Sequence, residues 1–495
     1  MNRHKIAIVG GGISGLACAF RLNELANEKH IPLHIKLIEG EDRLGGTIET
    51  KIRDGFVLEK GPDSFISEKP WCLALVKRLG IENDVIGTRS EFRKSFVVRK
   101  KKLHPLPDGF YLTAPTNFSS FLKSEIFSPW GKIRTALEWF VPRGQSDLEE
   151  SLGAFIRRRF GSEMLDRVAQ AMIAGIHTGD PETLSLVATM PRFKDLESEY
   201  GSVIRGLLES AKKRKSFKEA SGPRYSLFLS FKNGMETLIH ALERKIPNFQ
   251  IQKNTFLGQV RYDSAQKNWK LEYGEEIETF DAVCVATSAH VAAKILNSQE
   301  SLARELEKIR YQSVATINFA FRKSDIGHPL DGFGFVVPRI ENSPLVACSF
   351  SSMKYENRAP NDLVLLRAFV GGAFGSQYLA MDDQDLEETT LTALGELLSI
   401  SAQPIFTETK RYVDSMVQYE VGHQVRILQI QNEVTNLPGL FLTGSAYRGV
   451  GIADCIHDAE LQAEAIFKYL QYSTDELFPN VSIGNQDSRF PFSRE

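Results

Sequence analysis

Residues 5–15 read Lys-Ile-Ala-Ile-Val-Gly-Gly-Gly-Ile-Ser-Gly. Four apolar residues, Ile6, Ala7, Ile8 and Val9, predict a short buried strand, and Leu16 to Phe20 carry the stretch on as a helix. Between them Gly10, Gly12 and Gly15 have the spacing G-x-G-x-x-G. The first glycine permits a tight turn, the second lets backbone approach a pyrophosphate, and the third lets helix pack close to strand. The free N–H groups and positive dipole end of the helix then face an anion. A second strand, Leu33 to Ile38, ends on Glu39, 24 residues beyond Gly15. An acid about 20 residues past the last glycine is placed for a ribose hydroxyl. The glycine spacing alone is weak evidence; strand, turn, helix, strand and acid in succession predict a dinucleotide-binding βαβ unit.

The chain has 495 residues, of which 42% are hydrophobic and 25% charged. At ~100–200 residues per domain this is a globular chain of about two to four domains. The net charge of −2 gives no sign of nucleic-acid binding. Five cysteines (Cys18, Cys72, Cys284, Cys348, Cys455) are odd in number, far apart and without C-x-x-C, which argues against disulfides or a zinc site and for a reducing, cytoplasmic compartment. No metal is expected. A strand starting by residue 5 leaves no room for a signal peptide, and no apolar run reaches the length of about 18 needed to span a membrane. Attachment to the inner face of a membrane stays open.

Along the chain, Asp42 to Thr47 form a glycine-rich turn, Gly55 to Glu59 a strand, and Lys60 to Phe65 another turn. From about 86 to 210 helical patterns dominate, including Ile126 to Phe140 and Leu152 to Ile176. Residues 211–224 are basic and turn-rich, and read as a solvated linker, with a contact to anionic lipid or an acidic partner as the alternative, before the helix Glu236 to Leu242 and the buried strand Ala282 to Thr287. Strand-like runs Ala315 to Phe321, Phe333 to Val337 and Leu363 to Val370 suit a mixed sheet. A last strand, Gly439 to Gly444, leads through Gly449-Val450-Gly451 to a helix opening on Ile452-Ala453-Asp454.

Glu39 with Arg43 and Gly45-Gly46 at one end, and Thr443-Gly444 with Gly451-Ile452-Ala453-Asp454 at the other, resemble the two flavin motifs of the FAD-dependent amine oxidase and porphyrinogen oxidase superfamily. Within it the chain is most similar to the oxygen-dependent protoporphyrinogen and coproporphyrinogen III oxidases. The stretches that carry this are Glu59 to Phe65, Leu103 to Pro107, Ala174 to Pro181, Gly332 to Pro338, Asn357 to Pro360 and Gln418 to His423. The resemblance implies an α/β fold with a discontinuous Rossmann-like FAD-binding domain (1–85, 225–294 and 416–472). It adds an inserted helical domain (86–210), a mixed-sheet substrate-binding domain (295–415) and a polar tail (473–495). Two departures stand out: Tyr412 lies where such enzymes carry tryptophan beside the flavin, and His177 where relatives often have tyrosine.

The resemblance further implies FAD as cofactor. Its pyrophosphate falls to Gly10, Gly11, Gly12, Ser14 and Gly15, its ribose to Glu39 and Gly40, and Arg43 and Gly46 to the phosphate side. The backbone of Leu257 falls beside the adenine, although any apolar residue could stand there. Gly61, Pro62, Asp63, Ser64, Tyr412 and Gly444 fall near the flavin ring, and Gly451, Ile452, Ala453 and Asp454 at a helix start that stabilises the charge gained on reduction. A porphyrinogen would lose hydride from a bridging carbon in three two-electron rounds, with O2 taking the electrons to give hydrogen peroxide. Gly175, Asp63, Val336 and Phe350 are the candidates for shaping its pocket, each with a plain structural alternative, and Lys94, Arg99 and Lys102 are cations in the right region for propionates. The aromatic and basic residues of 116–142 suit either a membrane-facing helix pair or a bundle core. An amine oxidase, a carotenoid desaturase or a non-catalytic GDP-dissociation-inhibitor-like binder remain the alternatives. The choice between two- and four-carboxylate porphyrinogens and the formation of homo-oligomers are left open.

Overall fold

The computed structural model describes residues 4–111, 114–144, 149–217, 227–247 and 250–472. The polar tail 473–495 and residues 218–224 of the basic stretch lie outside them. The opening strand, His4–Val9, is the centre of a five-stranded parallel sheet. Its order is Ile251–Gln252, Leu33–Ile38, His4–Val9, Ala282–Val285, Leu440–Leu442. Side-chain alternation sends Ile6, Ile8 and Cys284 to one face, under the helices Ile13–Lys29 and Ile452–Tyr472. Ala7, Val9, Val283 and Val285 go to the other, against Trp269, Ala289 and Leu440. Burial on both faces explains the unbroken apolar run in each strand. The chain turns from the opening strand to Leu33–Ile38 on one side and reaches the opposite neighbour, Ala282–Val285, only much later. Strand order reverses there, and such a switch point opens a ligand crevice beyond the strands' carboxyl ends.

The second sheet is mixed and has seven strands. In order they are Phe406–Val417, Tyr311–Arg322, Leu363–Gly371, Leu345–Phe350, Gly334–Val336, Ser95–Arg99 and Lys102–Pro105. Only the pairing of Gly334–Val336 with Ser95–Arg99 is parallel within it. The last two strands correct the sequence reading, which placed 95–105 in the helical segment. Their alternation buries Phe96 and Val98 in the core of this sheet and Val97 against the helices. A strand that serves two cores carries apolar residues on both faces, so its sequence does not say which sheet it joins.

The helical region is built on Phe121, Phe127, Phe155, Phe160 and Phe193. The expected helix Leu152 to Ile176 is broken. Leu152–Phe160 stops at Gly161 (φ +96°), and a π-type turn at Leu165–Ala169 precedes Gln170–His177. The expected helix Ile126 to Phe140 starts at Pro129, where Ser128 Oγ accepts from the Gly131 N–H at 3.0 Å. It ends in a tight turn over Leu137–Phe140. The basic stretch begins as helix rather than linker, because Val203–Phe217 runs into it as far as Phe217. Among the described residues no helix is long and apolar enough to cross a membrane.

Candidate active site

The three glycines of the opening turn meet three different surroundings. Gly10 (φ +107°) sits where a Cβ would lie 2.9 Å from the Ala286 carbonyl oxygen. A Cβ on Gly15 would lie 1.9 Å from the Gly10 carbonyl oxygen, so helix and strand touch backbone to backbone. A Cβ on Gly12 would meet nothing within 4 Å. Open space at Gly12 fronts a helix whose first turn has no side-chain cap and no acid. Its N–H groups are available to an anion. Glu39 closes the same crevice, with Oε2 accepting from the Gly11 N–H at 2.6 Å and Oε1 from the Glu41 N–H at 2.9 Å. Buried Ser14 follows in the first turn of the helix.

A second glycine turn lies against the first. The Gly45 N–H donates to the Gly11 carbonyl at 2.8 Å, and a Cβ on Gly46 (φ +59°) would lie 3.4 Å from the Gly12 Cα. Arg43, expected at a phosphate, ties this turn together. Its guanidinium donates to the carbonyls of Leu44 (2.9 Å), Ile48 (3.1 Å) and Gly46, and lies 3.4 Å from Glu49. Leu257 is half-buried against the sheet core, while its neighbour Phe256 lays an exposed ring over Gly40. Phe256 was not singled out from sequence; an aromatic beside the expected adenine contact was the available signal.

Toward the other end of the crevice, Gly61 is packed so closely that a Cβ would sit 1.6 Å from the Thr47 carbonyl oxygen. Tyr412 stands over this junction, its hydroxyl 3.4 Å from that same oxygen, and burial pushes its pKa up to about 12. The turn after Glu59 is fastened to the seven-stranded sheet. Thr316 Oγ1 (2.8 Å) and Arg367 (3.2 Å) donate to the Lys60 carbonyl, and Arg367 also to that of Gly61. Pro62, Asp63 and Ser64 follow, all half-buried. Burial raises the Asp63 pKa, but Lys354, 2.8 Å away, and Arg367 outweigh it and hold the carboxyl well below the ordinary range. Ser64 Oγ donates to Asp63 at 2.7 Å. Asp63 is therefore a paired anion, and its two cations, Lys354 and Arg367, were not singled out from sequence.

Across the crevice, Gly444 (φ +126°) follows the last sheet strand, and its N–H donates to Asp458 at 3.3 Å. Gly449 and Gly451 crowd Asp454: a Cβ on Gly449 would lie 2.4 Å from Asp454 Cβ. Asp454 is nearly buried, and both its oxygens receive Lys69 Nζ at 2.6 Å. The sequence reading missed Lys69, because the pair spans most of the chain. Ile452 and Ala453 turn their side chains into the core, so only their backbone can face a ligand. Tyr419 braces this loop from behind, donating to the Ser445 carbonyl at 2.6 Å and accepting from the Gly449 N–H at 2.8 Å.

On the side of the seven-stranded sheet, Gly175 is exposed on Gln170–His177, and a Cβ there would meet only Val336 Cγ1, at 3.7 Å. Gly175 and Val336 thus face one another with room for about one methyl group between them. A cavity of about 180 Å³ adjoins them, bounded by Ala174, Thr178, Arg339 and Gly371. Phe350 is a correction: it is fully buried, with its ring 6.0 Å from Phe335 and 5.9 Å from His328, and it walls no pocket. Burial lowers the His177 pKa to about 4, so its imidazole is neutral near pH 7. Lys94 is engaged with Asp331 at 2.8 Å on the surface. Arg99 and Lys102 sit on the two edge strands of the sheet. None of the three lines the cavity.

A glycine cradle at a strand-order reversal, an acid at the ribose position and a mixed sheet facing the crevice define a dinucleotide-dependent oxidoreductase of two-sheet architecture. The open space at Gly12 and the uncapped helix start fit the pyrophosphate of such a group. A family model described as flavin containing amine oxidoreductase matches residues 13–467, and the chain belongs to that family. Its cofactor is FAD. The chain is 31% identical to a coproporphyrinogen III oxidase of Bacillus subtilis over 95% of its own length and 99% of the relative's. It is 32% identical to a coproporphyrinogen III oxidase of Staphylococcus aureus, covering 94% and 99%. Among solved structures it is similar to a provisionally assigned protoporphyrinogen oxidase from Exiguobacterium sp. 255-15. That likeness has a TM-score of 0.83 at 28% identity and covers 95% of this chain and 100% of that one.

Proposed function

We propose that the chain oxidises a porphyrinogen to the porphyrin in heme biosynthesis, with O2 as final electron acceptor. The observation that carries this reading is end-to-end similarity to two enzymes named coproporphyrinogen III oxidase, with both chains covered almost completely. FAD, when bound, supplies a two-electron acceptor. Each round removes two hydrogens from the macrocycle and reduces one O2 to hydrogen peroxide, so three rounds consume three O2. The chain's own work is positioning. Gly175, exposed and without a side chain, lets a flat, bulky ring lie against its helix beside Val336, and the Gly61–Tyr412 junction sets where it stops. Aromatisation drives proton loss, which suits a site whose acids Asp63 and Asp454 are locked to Lys354 and Lys69.

The helical region adds a surface. Trp130, Ile133, Leu137 and Phe140 are 80%, 50%, 48% and 80% exposed. Spacings of three and four residues put them on one side of the helical stretch. Phe121 and Phe127 of the same segment enter the core, whereas these four do not. With Lys123 and Arg143 nearby in sequence, this face fits the headgroup boundary of an anionic membrane, and we place the protein peripherally on the inner, cytoplasmic side. The test of the reading is direct. Purified yellow protein should convert coproporphyrinogen III or protoporphyrinogen IX to fluorescent porphyrin with stoichiometric peroxide, and should leave polyamines untouched. Porphyrin formation no faster than autoxidation would overturn it.

A further inference from the structure

The cavity beside Gly175 is bordered by an exposed cation, Arg339, that has no counter-charge among the described residues. Ala174, on Gln170–His177, and Thr178, the left-handed residue that caps that helix, line the cavity together with Arg339 and Tyr378. The Arg339 guanidinium lies 4.5 Å from the centroid of the Phe374 ring. Its backbone N–H donates to Gln170 Oε1 at 2.8 Å, which fixes where the side chain starts. Among the described residues no carboxylate pairs with it. Its sequence neighbour Glu341 is engaged by Arg167 at 3.9 Å instead. A guanidinium resting on an aromatic face keeps its N–H fork free, and that fork matches a carboxylate in two-pronged fashion.

The cavity also lies at a useful distance from the redox end of the crevice. Tyr412 pairs with Val314, and Val314 pairs on its other side with Gly371, which lines the cavity. Two strand spacings put Gly371 about 10 Å from Tyr412. A volume of about 180 Å³ is well below what encloses a whole ligand of drug size or larger. The space takes one edge of a large molecule whose body lies over Gly175.

Resting on the porphyrinogen reading, we propose that Arg339 is a specificity-determining residue that binds one propionate carboxylate on the pyrrole ring turned away from the flavin. A four-carboxylate porphyrinogen carries such an arm on every ring, so each way of presenting a bridging carbon gives Arg339 its anion. A two-carboxylate porphyrinogen does so only in some orientations. Arg339 therefore selects for the substrate with four carboxylates.

The test compares wild type, Arg339→Gln and Arg339→Lys as flavin-loaded proteins. For coproporphyrinogen III, Arg339→Gln should raise KM about tenfold or more, the scale of one charge-assisted bond, while kcat changes far less. Arg339→Lys should recover part of the loss. The rise for protoporphyrinogen IX should be smaller. Wild type should bind coproporphyrin III better than its tetramethyl ester by fluorescence quenching, and Arg339→Gln should lose that preference with flavin content unchanged. Equal KM and an unchanged acid-to-ester ratio in a variant of an active enzyme overturn the role of Arg339 alone. A wild type that turns over no porphyrinogen overturns the porphyrinogen reading and this one with it.

Discussion

Gly175 offers the sharpest test of where the substrate lies. A glycine within a helix costs roughly 0.5–1 kcal/mol relative to alanine. Here the extra methyl would have room, since its only neighbour would be Val336 Cγ1 at 3.7 Å, an ordinary contact distance. Gly175→Ala should therefore raise stability by up to about 1 kcal/mol, a couple of degrees at most in Tm. The same methyl intrudes on the space we assign to the macrocycle. Crowding by one methyl group costs about 1 kcal/mol, or roughly fivefold in KM for a porphyrinogen. Gly175→Leu places three more carbons in the gap and should raise KM about a hundredfold or abolish turnover. Flavin content should stay at the wild-type level in both, because Gly175 touches neither glycine turn. The assays are thermal unfolding, flavin absorbance and porphyrin fluorescence at varied substrate concentration. A Gly175→Ala protein less stable than wild type would show that the glycine serves the fold. A Gly175→Leu protein with wild-type KM and kcat would move the substrate elsewhere.

The two cradle glycines should separate folding from cofactor binding: Gly12→Ala, with nothing within 4 Å of the new methyl, should fold as wild type but purify colourless, whereas Gly15→Ala, 1.9 Å from backbone, should lose both flavin and stability. Burial raises the Glu59 pKa to about 7 despite Arg358 nearby. Protonation is thus favoured in the fold; the stabilisation is complete below the unfolded pKa near 4.5 and is lost as pH rises to about 7. Denaturant unfolding should show wild type losing up to about 3 kcal/mol across that window relative to Glu59→Gln, and parallel pH curves would contradict it. The double change Trp130→Glu with Phe140→Glu should cut partitioning onto phosphatidylcholine–phosphatidylglycerol vesicles by about two orders of magnitude, leaving turnover of dissolved substrate intact. A wild type that does not sediment with such vesicles ends the membrane assignment.

The parts legible in the chain were those written locally. A four-residue apolar run, a glycine spacing and an acid at a set remove are consequences of how one strand, one turn and one helix must pack, so residues 5–39 announced their own geometry. The crevice at the carboxyl ends of the parallel strands followed, because each strand buried on both faces reads as continuous apolar sequence. Tertiary structure alone decided which surfaces met. Phe350 and Phe140 are both phenylalanines in apolar patterns, yet one is sealed between Phe335 and His328 and the other stands in the open. Strands 95–105 joined a sheet whose other members lie two hundred residues on, and Lys69 found Asp454 across most of the chain. Arg43 found the carbonyls of its own turn, which no charge pattern in the sequence announces. Periodicity records how apolar a face is, whereas the partner that covers it, and the anion that a cation meets, depend on contacts between segments that leave no periodic trace.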